Sequence, residues 1–192
     1  NKPEAYSTTS MTSLLLHEAQ PGHHFHVARQ QEMPLPLLRR YDWINAYGEG
    51  WALYAETLGH ELGLYRDDPD ALMGHLQMEL HRAVRLVTDT GLHAKGWTRE
   101  QSIRYMITEE GQEPEEARRS TERYMAWPGQ AVSYKIGALK IRELRERGQK
   151  ALGAHFSLPA FHEKVLEEGS LPLDMLEKKI NRWLAHEQRT TR

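Results

Sequence analysis

Ser10-Met11-Thr12-Ser13-Leu14-Leu15-Leu16-His17-Glu18-Ala19-Gln20-Pro21-Gly22-His23-His24 carries a helical apolar pattern that runs into Pro-Gly and then two more imidazoles. A His-Glu pair is the usual opening of a zinc helix. In that motif two His four residues apart reach one ion from one face, and the Glu beside the first faces the bound water. Here the fourth position after His17 is Pro21, which offers no ligand. On an unbroken helix His23 lies about 240° round and roughly 9 Å along from His17, and His24 recovers the angle at about 10.5 Å. Two nitrogens that each bind zinc at about 2.0–2.1 Å are never so far apart.

The Pro-Gly pair therefore decides what the segment is. Pro21 removes the hydrogen bond to the His17 carbonyl and crowds that turn, while Gly22 takes backbone angles that other residues avoid. One reading is a bulge that folds His23 or His24 back over His17. The other is a helix ending at Gln20, a turn, and two surface imidazoles. The dipeptide itself is common here, recurring at His60-Glu61, His162-Glu163 and His186-Glu187.

A metal site needs a third ligand. Tyr47-Gly48-Glu49-Gly50-Trp51-Ala52-Leu53-Tyr54-Ala55-Glu56 offers two carboxylates seven apart, on one helix face. Glycines flanking Glu49 cost a helix about 1 kcal/mol each, a cost that makes sense where another backbone approaches closely. The competing reading is a plain helix start with a solvated Glu.

The rest of the chain is helical in period. Ser10 to Gln20, about Ile44 to Leu64, a long helix opened by Asp67-Asp68-Pro69-Asp70, one after the Thr98-Gln101 capping box, one at Pro114, Gln130 to Arg147, Ser157 to Glu168 and Ser170 to His186 make about eight helices. Pro34 and Pro36 read as a connection, and no run alternates long enough for a strand. The 192 residues form a single helical region, 1–192, with 39% apolar and 27% charged residues. A net charge of −2 with scattered basic residues gives no case for nucleic acid. No apolar run approaches the roughly 20 residues of a membrane span. With no cysteine, any metal is held by His and carboxylates, and neither an oxidising nor a reducing compartment is indicated. A motif within the first 25 residues lacks one wall, so the chain is expected to be the C-terminal part of a longer polypeptide, whose N-terminal remainder completes the site.

Four blocks in order, HEAQPGHHFHVARQ, YGEGWALYAE, VTDTGLHAKGWTREQ and PGQAVSYKIGALKI, resemble the DUF885 family of bacterial proteins, regarded as helical zinc-peptidase relatives. The pattern is also similar to thimet oligopeptidase and the carboxypeptidase Taq family. The resemblance implies an all-α fold, the catalytic half of a zincin-like metallopeptidase that hydrolyses peptides with zinc. It makes His17 and His23 the imidazole ligands, Glu49 the third ligand and Glu18 the general base. It also makes Tyr134, with Tyr124 behind it, the group that stabilises the oxyanion, against the plainer reading of a core tyrosine. The inserted Pro-Gly departs from the relatives' His-Glu-x-x-His and leaves His24 as the rival of His23.

Asp89-Thr90-Gly91-Leu92-His93 reads either as a glycine-capped helix end or as a functional block. In the second case His93 donates to substrate, or Asp89 orients a ligand imidazole. Arg82 and Arg85, a turn apart, suit a substrate carboxylate or a structural role. Two other classes compete: a carboxylate-bridged di-iron bundle, which needs paired Glu-x-x-His motifs, and a metal-free, degenerate interaction domain.

Overall fold

A computed structural model describes residues 8–190, and among these the chain is helical with no strand. Helices α1 (Met11–Glu18) and α2 (His23–Glu32) flank the Pro21-Gly22 break, and α3 (Leu37–Tyr41) follows the two prolines. Then come α4 (Asn45–Glu61), α5 (Pro69–Ala94), α6 (Arg99–Glu110), α7 (Pro114–Ala126), α8 (Gln130–Leu152), α9 (Leu158–Leu166) and α10 (Leu173–Thr190).

The helix starts use the expected chemistry. The Asp68 side chain accepts from the Ala71 amide with Pro69 in the first turn, Thr98 and Gln101 form both halves of a capping box, and Pro114 opens α7. Gly129, at φ 82°, makes the reversal into α8 that an L side chain resists.

Helix α4 is the axis of the molecule. Tyr47, Trp51, Leu53, Tyr54 and Leu58 are all buried, so it is covered on most sides by neighbours. Helix α8 crosses it at a glycine pair: a Cβ on Gly137 would fall 1.8 Å from the Ala46 carbonyl oxygen, and one on Gly50 would fall 2.5 Å from the Gly137 Cα. From the far side, Phe161 and Val165 of α9 and Leu176, Ile180 and Leu184 of α10 complete this core. Val84, Met106, Ala117, Tyr124 and Ala131 form a smaller core where α5, α6 and α7 meet the start of α8.

Several sequence expectations change. Two helices join the eight read from periodicity, α2 and α3; α2 is polar on most sides and α3 is five residues long, so neither shows an apolar stripe. Helix α1 stops at Glu18 rather than Gln20, and α4 at Glu61 rather than Leu64. Gly91 is not a helix cap, because α5 continues to Ala94 and the Trp97 ring packs where a Gly91 Cβ would sit, 2.5 Å away.

Candidate metal centre

The break after α1 is tight. A Cβ on Gly22 would lie 1.9 Å from the His17 carbonyl oxygen and 2.3 Å from that of Leu16, so only glycine fits as the chain turns back over the helix end. The Gln20–Pro21 peptide is cis. The Trp51 indole N–H from α4 donates to the Pro21 carbonyl at 2.8 Å and ties the bulge to the core. Helix α2 restarts at once, and its first residue brings the His23 ring edge-on to His17, with centroids 4.7 Å apart at 88°.

Both imidazoles meet Glu49. Its Oε2 lies 3.2 Å from His23 Nε2 and 3.7 Å from His17 Nε2. Gly48 leaves room for the Trp43 ring, and Gly50 for the α8 backbone, so the expected close approach is by backbone on one side of Glu49 and by an indole on the other. Burial alone would push the Glu49 carboxyl up, but the hydrogen bonds from His17 and His23 outweigh it and hold it at about 2. Glu18, exposed beside His17, offers a carboxylate oxygen within 4.8 Å of a ring nitrogen of each histidine.

Behind His17 stands a residue whose role the sequence did not reveal. Glu56, fully buried, accepts from His17 Nδ1–H at 2.7 Å. That bond leaves Nε2 facing Glu49. Burial pulls the His17 pKa down, yet its bonds to Glu49 and Glu56 raise it overall. The visible signal was the seven-residue spacing from Glu49.

Tyr134 stacks on His17, with centroids 6.1 Å apart at 15°, and its hydroxyl accepts from the Gln130 side-chain amide at 3.1 Å. Gln130 also reaches Glu49 Oε1 at 3.5 Å, and its side-chain oxygen accepts from exposed Arg123 at 3.1 Å. Tyr124 is one helix further away, its buried hydroxyl accepting from Arg85 Nε at 3.0 Å. Beside the bulge a cavity of about 290 Å³ is lined by Pro21, Phe25, Trp51, His162 and Leu166 together with the Arg29–Glu163 ion pair.

Thus His17, His23, Glu18, Glu49 and Tyr134 come together, while His24 is exposed and takes no part. His93 does not join them. Its Nε2 bonds the Tyr124 carbonyl at 2.9 Å. Asp89 orients no ligand imidazole either: its carboxylate accepts from the Gly129 and Val132 amides at 3.2 and 3.1 Å, capping the helix that carries Gln130 and Tyr134.

No helix among the described residues is long and apolar enough to cross a membrane. The fold is similar to the crystal structure of a candidate lipoprotein from Colwellia psychrerythraea, at 50% identity and a TM-score of 0.89, covering 93% of this chain and 31% of that one. A candidate lipoprotein of unknown function from Shewanella oneidensis is similar at 31% identity and a TM-score of 0.83, with 90% and 32% covered. The chain thus spans about a third of the length of these relatives. No curated protein matches it. Residues 1–180 match the family described as "Bacterial protein of unknown function (DUF885)". The chain belongs to the DUF885 family.

Proposed function

We propose that these residues form the catalytic centre of a zinc-dependent peptidase, with His17, His23 and Glu49 holding the ion. The observation that carries the reading is the convergence of two imidazole nitrogens on one carboxylate, at 3.2 and 3.7 Å. Donors around tetrahedral zinc, each about 2.0–2.2 Å from it, stand about 3.3–3.5 Å from one another. The two carboxylate-to-imidazole separations lie close to that spacing, and two nitrogens with one carboxylate is a set that zinc hydrolases use.

Bound zinc supplies Lewis acidity, which makes water a nucleophile near neutral pH. Around it the chain's own groups divide the work. Glu56 fixes the tautomer and tilt of His17. Glu18, exposed and adjacent, accepts the proton of the attacking water and passes it to the departing amine nitrogen. The Tyr134 hydroxyl, held by Gln130, donates to the oxyanion that develops on the carbonyl. The di-iron alternative asks for Glu-x-x-His pairs on two helices. Among the described residues, the two imidazoles that converge have Glu49 on one side and Glu18 within 4.8 Å, with no Glu-x-x-His pair beside them.

Elemental analysis of the protein purified without added metal tests the reading. One zinc per chain is expected, lost in His17→Ala and Glu49→Gln. Glu18→Gln is expected to retain the zinc while peptide hydrolysis disappears. Equal metal in all variants, or undiminished hydrolysis by Glu18→Gln, overturns it.

A further inference from the structure

Helix α5 brings two arginines to the back of this centre. Arg82 and Arg85, each 8% exposed, lie over the Tyr134 ring with guanidinium carbons 5.9 and 4.8 Å from its centroid. Arg82 has a weak acidic partner, Glu56 Oε1 at 3.7 Å, which is already the 2.7 Å acceptor of His17. Arg85 bonds the Tyr124 hydroxyl, and among the described residues it has no ion pair and leaves Nη1 buried without an acceptor.

The acidic groups nearby each have another partner, although one oxygen each of Glu79 and Glu110 is buried without one. Glu79 pairs with Lys135, Glu110 with His81, and Asp89 caps α8. The Tyr124 and Tyr134 ring faces attract a cation, but they offset only part of the cost of taking one from water. Two neighbouring guanidinium groups, with one already-shared carboxylate between them, make an anion site that lacks its anion.

We infer that Arg85, backed by Arg82, receives the C-terminal carboxylate of the peptide substrate, so that the centre cleaves close to a free C-terminus. This rests on the peptidase reading. Contacts of 4.8 and 6.1 Å through Tyr134 place the Arg85 guanidinium no further than about 11 Å from the His17 ring. An extended chain covers about 3.3–3.6 Å per residue, so the piece released is about three residues or fewer.

The test compares acetylated tetra-alanine as the free acid with its C-terminal amide, using the zinc-loaded full-length protein. The acid is expected to be cleaved with a KM about tenfold or more below that of the amide, the scale of a charge-assisted hydrogen bond. Arg85→Gln should abolish the preference and Arg85→Lys restore part of it. Equal KM for acid and amide in the wild type overturns the inference while leaving the peptidase reading intact. If neither peptide is cleaved, the peptidase reading fails, and calorimetric binding of the two peptides still decides: acid preference lost in Arg85→Gln supports the anion site, and equal affinity removes it.

Discussion

Replacing Gly137 by Ala probes the crossing that sets the distance between Glu49 and Tyr134. Two effects oppose each other. Alanine is the better helix former by about 1 kcal/mol, which favours the variant. Its Cβ, however, would fall 1.8 Å from the Ala46 carbonyl oxygen and 2.7 Å from the Gly50 Cα. Both obstacles are backbone, so no rotamer change relieves them and α4 and α8 must part by more than an ångström. Overpacking costs about 1–3 kcal/mol even where side chains can yield; against backbone the upper end applies. The net loss is about 2 kcal/mol, a Tm lower by about 4–8 °C for a chain of this size. Gly148→Ala on the same helix is the matched control, because there the new Cβ meets the edge of the half-buried Phe156 ring at 2.9 Å, a side chain rather than backbone, and Tm should change much less. Circular dichroism melts of the three proteins, with zinc affinity from chelator competition, read both consequences. Gly137→Ala is expected to bind zinc more weakly as well, since Glu49 adjoins the crossing. A Gly137→Ala protein with wild-type Tm and wild-type affinity would refute the reasoning.

Glu56→Gln is expected to weaken zinc binding about 10–100-fold, the usual penalty for losing the carboxylate behind a ligand imidazole; an unchanged dissociation constant by chelator competition would contradict the role given to Glu56. Asp89→Ala removes the acceptor of two α8 amides, and a loss of about 2 kcal/mol is expected in urea unfolding; a midpoint within error of wild type would show those bonds to be dispensable. His162 gives a pH signature. Burial first, then nearby Arg145, lowers its pKa from 6.5 to about 4. Between those values the unfolded chain binds the proton and the folded one does not, so this residue's contribution is present above about 6.5 and is lost as pH falls to about 4, by up to about 3 kcal/mol. His162→Phe should flatten the stability profile in that window; parallel profiles would dismiss the assignment.

Much of the fold is legible where one helix carries its own signals. Asp68-Pro69, the Thr98-Gln101 box and Pro114 mark starts that need no partner to be recognised. The Pro21-Gly22 pair likewise announces a break. Helix α2, just beyond that break, is not legible, because it is polar and held through contacts such as that of the buried His26 ring with Tyr47, 5.3 Å between centroids. The same division runs through the centre. Glu49 stands out between two glycines, and His17-Glu18 is a recognisable pair. Glu56 is hidden, since its carboxylate gains meaning only from the distance at which α1 packs against α4. Asp89 and His93 mislead for the converse reason: a helix-end pattern suggests a local cap, whereas the helix that Asp89 caps begins forty residues later.

Helix α4 presents Glu49 to both imidazoles, the Trp51 indole to the bulge and Glu56 to the rear of His17 within eight consecutive positions. Each residue along a helix turns the next by about 100°. Inserting or deleting one amino acid between Glu49 and Glu56 would swing one carboxylate away from His17 while the other stayed in place. Every residue between the two carboxylates is buried, so the stretch is held in its length as firmly as in its packing.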